Sequence, residues 1–169
     1  MVVYATINVR IFHMEATPSK QTELAWVLLV RTQQILLGRV ETRLKEAGLP
    51  PLSWYDVLLE LGRAPESDLR QYEIGERVLL NKHNLSRLID RLESDGLVKR
   101  QACDTDGRGS IVKITKKGMQ LKQKIWPVYA QAIQELIAEP LTTTQVRSLA
   151  DIMSALLEKN QSLRHESYT

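Results

Sequence analysis

The stretch between Asn81 and Gly96 constrains the fold of this chain more than any other. Its apolar residues recur at intervals of three and four, which places them on one face of a helix. These residues are Leu85, Leu88, Ile89 and Leu92. Asn81 can cap the first turn through its side-chain oxygen, and Gly96 can adopt the left-handed conformation that ends a helix. The predicted helix exposes a polar face, which carries His83, Arg87, Asp90 and Ser94.

The period of the apolar residues changes to two directly after this helix. Residues 97–103 and 110–115 are predicted to be strands, and the turn-forming residues 104–109 join them. A shorter amphipathic helix is predicted ahead of the first one, over residues 69–78, with residues 79–81 as a tight link. Two helices that are joined by a tight link and followed by a basic hairpin are typical of a helix-turn-helix with a wing.

The same residues resemble the MarR family of bacterial transcription regulators. The matching pieces occur in the family's order and spacing; they are residues 72–77, 85–93, 96–100, 106–108 and 114–118. The resemblance covers roughly residues 52–118, and the helical segments on both sides also fit the family's layout. It implies a mainly α-helical fold with a small β-hairpin wing, in a two-fold homodimer that is held together by its N- and C-terminal helices.

The predicted long helices at the two ends support this dimeric arrangement. The helix over residues 17–48 is apolar around more than one narrow stripe, and in a small protein a second subunit is the simplest cover for it. We therefore expect dimerisation helices at 17–48 and 119–160, a winged helix-turn-helix DNA-binding domain at 49–118 and a polar tail at 161–169. Residues 1–16 are either an extension that packs on the dimer or the product of an upstream start codon, with Met14 as the ordinary beginning.

Several helix boundaries are predicted from capping residues. Ser53 opens the second helix, with Asp56 three residues later in a position like that of a capping box. Pro127 lies within the helix that begins near Thr115 and should kink it. Thr142–Gln145 forms a capping box for the last helix.

Charge is unevenly distributed along the chain. The whole sequence has a formal net charge of +3, whereas the segment Lys82–Lys124 contains eleven Lys or Arg and five Asp or Glu, a net charge of +6. The positive charge therefore lies on the predicted helix and hairpin, which favours a polyanionic partner such as double-stranded DNA. The alternative is a basic surface that is merely solvated.

The candidate DNA-binding residues lie in the first turns of the predicted reading helix and at the tip of the wing. They are Lys82, His83, Asn84, Ser86, Arg87 and Arg108. Arg87 could make a two-pronged contact with guanine, and Asn84 could make one with adenine. Arg108 could enter the minor groove from the wing, whose acidic residue Asp106 is implied by the resemblance to brace the hairpin through a basic residue, here Arg91.

Enzymatic functions have little support in the sequence. The three histidines, at positions 13, 83 and 165, lie far apart, and there is no Cys-x-x-Cys pair and no phosphate-cradling glycine loop. We expect no catalytic residue, metal site or cofactor. The single cysteine, Cys103, excludes an internal disulfide framework and is interpreted as a plain strand residue. No apolar run reaches the roughly 18 residues of a membrane span, so we expect a soluble protein, and the single cysteine suits the reducing cytoplasm.

The resemblance also implies a possible small aromatic effector, because relatives commonly bind aromatic acids between the dimer helices and the winged domain. Trp26, Trp54 and Tyr55 could line such a crevice, although each is more often a core residue. The pocket residues are left unassigned. The function expected is that of a regulator, most simply a repressor, that binds a palindromic operator as a homodimer; the alternative is a dimeric interaction module that does not read DNA.

Overall fold

A computed structural model describes residues 17–78, 80, 82–102 and 110–166. The described residues form six α-helices, one π-helical turn and three strands. In chain order they are α1 (Lys20–Glu46), α2 (Leu52–Arg63), β1 (Asp68–Arg70), α3 (Gln71–Val78), α4 (Lys82–Ser94), β2 (Val98–Ala102), β3 (Ser110–Ile114), α5 (Lys116–Ile133), the π-helical turn (Gln134–Ala138) and α6 (Thr143–Glu166). The prediction of a mainly α-helical chain with a small hairpin is confirmed.

Helix α1 lies within the predicted range 17–48, and both of its ends are specified locally. The N–H of Thr22 donates to the side-chain oxygen of Ser19, which caps the first turn. Gly48 adopts a positive φ of 65°, and the N–H of Leu49 donates to the carbonyl of Leu44 at 2.9 Å, which ends the helix. The chain divides within α1 into two compact units, the first ending at Ile35 and the second beginning at Leu36.

The capping box predicted for α2 is wrong. The helix begins at Leu52, one residue before Ser53, and Pro51 at its N-cap makes no side-chain capping bond. The N–H of Leu52 instead donates to Oε1 of Glu41, 3.1 Å away on α1. A carboxylate that is distant in sequence therefore supplies the acceptor that we expected from the helix itself.

The helix predicted over residues 69–78 begins only at Gln71, because the three residues before it form a strand. Strand β1 pairs antiparallel with β3, with Leu69 opposite Val112. The hairpin of β2 and β3 is present as predicted, and the sheet order is β1-β3-β2. A strand of three residues is too short for an alternating pattern, so only its pairing with β3 identifies it.

The main core lies between α2, α3, α4 and the inner face of the sheet. Its fully buried side chains include Val57, Leu58, Leu61, Ile74, Ile89, Leu92 and Val112. A second cluster joins the C-terminal part of α1 to α2 and α5, through Val40, Leu44, Leu52, Tyr55, Ile125 and Ala132. Helix α2 contributes to both clusters, and it therefore connects the winged region to α1 and α5.

The last two long helices begin at side-chain caps, both near predicted positions. The N–H of Gly118 donates to the hydroxyl of Thr115, which precedes α5. Thr142 and Gln145 form the predicted reciprocal capping box of α6, at 2.9 and 3.3 Å. Pro127 lies inside α5, which continues past it to Ile133. The π-helical turn that follows was not predicted.

Among the described residues, no helix combines the length and the apolar character that crossing a membrane requires.

Candidate nucleic-acid interface

Helix α4 has one buried face and one exposed face, as the sequence predicts. The four apolar residues of its predicted stripe are buried in the main core. His83, Asn84 and Arg87 are exposed at its N-terminal half, and Ser86 is half-buried. Because the buried face is fully packed, the exposed donors and acceptors are presented from a rigid helix.

The C-terminal end of α4 is also as predicted. Gly96 adopts a positive φ of 69°, and its N–H donates to the carbonyl of Glu93 at 2.8 Å. The N–H of Leu97 donates to the carbonyl of Leu92, also at 2.8 Å, so that the chain turns directly into β2. The glycine is needed here because a side chain at this φ would be strained.

Several predicted site residues fall outside what the structure describes. Asn81, Cys103, Asp106 and Arg108 lie outside the described residues, and so does the side chain of Lys82. Arg91 is exposed on α4, but its pairing with Asp106 stays a prediction. The minor-groove role of Arg108 also stays a prediction.

A different ion-pair network joins the described part of the wing to α4, and sequence reasoning missed it. The guanidinium of Arg100 on β2 lies 2.5 Å from Oδ1 of Asp90 and 2.6 Å from Oε2 of Glu93. The backbone N–H of Arg100 also donates to Oε1 of Glu93 at 2.8 Å. This backbone bond, followed by the side-chain bond, holds the pKa of Glu93 below its usual value. Two acidic residues three apart on a helix, followed across a turn by arginine, were the signal available in the sequence.

Thr115 joins the end of α4 to the beginning of α5. Its hydroxyl donates to the carbonyl oxygens of Gly96 and Leu97, 2.8 and 3.0 Å away, and accepts from the N–H of Gly118 at 3.1 Å. Nζ of Lys117 donates to the carbonyl of Asp95 at 2.6 Å. These bonds couple the orientation of the reading helix to that of α5.

The outer face of the sheet is basic. Lys99 lies opposite Lys113 across the β2–β3 pair, and both line a groove of about 300 Å³ together with Lys116. Lys113 has a partner within the protein, since its Nζ lies 3.7 Å from Oδ2 of Asp68. Lys113 and Lys117 thus both contact protein groups.

The aromatic residues that were predicted to line a crevice occupy different environments. Tyr55 is buried in the second core cluster, and Trp54 packs partly buried against the main core. Trp26, in the first unit, is 66% exposed. Tyr55 instead contacts two residues of α5, with ring centroids 6.4 Å from Trp126 and 5.3 Å from Tyr129.

Asp56 lies beside this aromatic cluster. Its partial burial raises the pKa of its carboxyl to about 6, with smaller contributions from Glu41 and Glu60. Burial likewise raises the pKa of the Tyr129 hydroxyl, and the charge of Asp56 adds to that effect. This cluster has one exposed edge, because Trp126 is 51% exposed.

The exposed large apolar side chains of the described residues are concentrated on two helices. On α6 they are Ile152, Met153, Leu156 and Leu157. On the part of α1 that belongs to the first unit they are Leu24, Trp26, Val27, Leu28 and Ile35. Contiguous apolar surface of this kind marks an interaction site more often than a free surface.

Comparisons with known proteins agree with this geometry. The profile of the MarR family matches residues 47–109. The transcriptional regulator MhqR of Bacillus subtilis (strain 168) is 30% identical over 113 residues, which are 67% of this chain and 76% of that protein. Sco3205 of Streptomyces coelicolor, a MarR family regulator solved in complex with DNA, is 25% identical, with a TM-score of 0.77 over 85% of this chain and 90% of that one.

An organohalide-sensing regulator solved with 2,4-dichlorophenol is 16% identical, with a TM-score of 0.73 over 89% of this chain and 90% of that one; at this identity the likeness concerns the fold alone. The decisive relative is MhqR, because three quarters of its length is matched. A reading helix packed on a winged sheet, a family profile over that region and a relative matched over most of its length together show that the chain belongs to the MarR family of transcriptional regulators.

Proposed function

We propose that the chain is a repressor that binds a palindromic operator as a homodimer, with half-sites about one helical turn apart. The observation that carries this proposal is the division of α4 into a fully packed face and an exposed face with His83, Asn84 and Arg87. A helix presented in this way can enter the major groove with its N-terminal half first. The DNA-binding residues in this proposal are Lys82, His83, Asn84, Ser86, Arg87 and Arg108.

Arg87 is the residue best suited to reading a base. It is exposed on α4, and a guanidinium can donate two parallel hydrogen bonds to the major-groove edge of guanine. Its replacement should therefore weaken binding to the operator by about 1–3 kcal/mol and weaken nonspecific binding much less. An equal loss of affinity for operator and for nonspecific DNA would show that Arg87 contacts phosphate instead.

The test begins with duplexes that the purified protein selects from a random pool. Binding of Arg87→Ala to a selected duplex and to poly(dI-dC) is then measured by filter retention at about 50 and 200 mM salt. Arg147→Ala is the matched control, because it removes the same charge from an exposed position on α6. A wild-type protein that retains no duplex at the lower salt concentration would refute the proposal and favour an interaction module instead.

The homodimer rests on the exposed apolar residues of α6 and of the first part of α1. Stable homodimer interfaces bury about 1,200 Å² or more, and long helices with apolar faces on this scale supply such area. We expect Leu156→Glu to shift the protein toward monomer in analytical ultracentrifugation, because it puts a charge into the proposed interface. Ser154→Glu, two residues away on the same helix and also exposed, should leave the dimer intact.

The proposal includes release from the operator by a small aromatic acid. Its support is the cluster of Tyr55, Trp126 and Tyr129, whose edge is open at Trp126. Titration with benzoate and salicylate should quench tryptophan fluorescence, and Trp126→Phe should lose most of that quenching.

Because chromosomal DNA would be the target, we infer that the protein acts in the bacterial cytoplasm.

A further inference from the structure

The reading face of α4 carries a negative charge directly beside its principal cation. Asp90 follows Arg87 by three residues, so the two side chains lie on the same side of the helix. The Asp90 side chain is 59% exposed, and that of Glu93, one turn further on, is 37% exposed. Carboxylates on a surface that approaches phosphates repel them, which lowers affinity for any DNA sequence.

Arg100 compensates this negative charge from a different element. Its guanidinium lies between the two carboxylates, with one nitrogen 2.5 Å from Asp90 and another 2.6 Å from Glu93. The planar fork of arginine suits two acceptors at once better than a lysine would. The Arg100 side chain is only 26% exposed, so this position is fixed by contacts on several sides.

The attachment of β2 to α4 does not depend on this side chain alone. The backbone N–H of Arg100 donates to Glu93 at 2.8 Å, and this bond survives any substitution at position 100 other than proline. The register of β2 with β3 places Arg100 opposite Val112, which is fully buried in the core. A methionine at position 100 can therefore keep the strand in place while it removes the charge.

We propose that Arg100 is a positioning residue for DNA binding, which holds Asp90 and Glu93 against β2 and masks the charge of Asp90 on the reading face. This inference rests on the proposed DNA-binding function. It differs from a direct contact of Arg100 with phosphate, because masking requires Asp90 to be charged. It also differs from an effect of net charge alone, because it depends on where the carboxylate lies.

The experiment compares Arg100→Met, Asp90→Asn and the double variant R100M/D90N, on a selected duplex and on poly(dI-dC). We expect Arg100→Met to weaken binding to both DNAs about five- to tenfold at about 50 mM salt, and less at 200 mM, where charges are screened. R100M/D90N should return to within about twofold of wild type. R100M/E158Q is the matched control, since it has the same net charge as the double variant but removes an exposed carboxylate on α6; it should stay as weak as Arg100→Met.

The outcomes distinguish masking of Asp90 from a phosphate contact, from simple bracing and from an effect of net charge. If R100M/D90N is as weak as Arg100→Met, Arg100 contacts phosphate or acts only as a brace, and masking is wrong. Equal recovery in R100M/E158Q would show that net charge, not position, is what matters. Unchanged binding by Arg100→Met would also overturn the inference while leaving the proposed function intact. A wild-type protein that binds neither DNA would refute the proposed function, and the inference with it.

Discussion

Gly118→Ala tests whether the start of α5 is packed directly on the end of the reading helix. A Cβ atom at position 118 would lie 2.2 Å from the carbonyl oxygen of Leu97, 2.9 Å from Cγ1 of Ile114 and 3.2 Å from Cδ2 of Leu58. The first of these neighbours is backbone, and it already accepts hydrogen bonds from Thr115. The methyl group therefore fits only if α5 and the turn before β2 move apart.

The expected loss of stability combines two destabilising effects with one stabilising effect. Overpacking of a well-packed site costs about 1–3 kcal/mol. Weakening the Thr115 bonds to Leu97 adds about 1 kcal/mol. Alanine gains about 1 kcal/mol over glycine in a helix interior, which offsets part of this. The net destabilisation should be about 1–3 kcal/mol, or a fall in Tm of about 2–12 °C for a chain of this size.

Thermal denaturation followed by circular dichroism measures this effect, with all proteins at one concentration because the Tm of the proposed dimer would depend on it. Gly62→Ala is the matched control: the three nearest neighbours of its Cβ all belong to the Lys122 side chain, with Nζ at 2.5 Å, and the end of a flexible side chain can move away. We expect its Tm to equal or exceed that of wild type. If Gly118→Ala melts together with Gly62→Ala, the close contact between α5 and Leu97 does not exist.

Three further predictions concern the same region and the partly buried carboxyl of Asp56. Thr115→Val keeps the side-chain shape but removes a cap and two hydrogen bonds to carbonyl oxygens. We therefore expect the free energy of unfolding, measured by urea denaturation, to fall by about 1–2 kcal/mol. An unchanged free energy would mean that the hydroxyl does not couple α4 to α5. Gly96→Ala should cost about 1–2 kcal/mol in the same assay, because position 96 has a positive φ. Asp56 has a folded-state pKa of about 6, above its ordinary 3.8, so the folded protein binds the proton more tightly and loses stability as pH rises from about 4 to 6. After allowance for solvent screening, we expect Asp56→Asn to raise the free energy of unfolding by about 1–2 kcal/mol at pH 7 and to leave it unchanged at pH 4. An equal rise at both pH values would refute the shifted pKa.

The sequence by itself determined those features that depend on neighbours within about four residues. The apolar stripe of α4, the glycine ends of α1 and α4 and the capping box of α6 are all set by local geometry, which repeats in any protein. The order of these elements was enough to indicate the winged helix-turn-helix, and the matching residues within them carried the resemblance to the family. Residues exposed on α4 followed from the same periodicity, because a helix with one buried face must expose the other.

Only the tertiary structure decided the features that join distant parts of the chain. Strand β1 exists because β3 pairs with it, and α2 is capped by Glu41 of α1. The ion-pair partner of Asp90 comes from β2, and the atom that leaves no room for a side chain at Gly118 is the carbonyl oxygen of a residue 21 positions earlier. None of these contacts has a sequence period, since each depends on how packed elements meet in space. Hydrogen bonds and ion pairs of this kind are specified by the whole fold, and so only the folded chain reveals them.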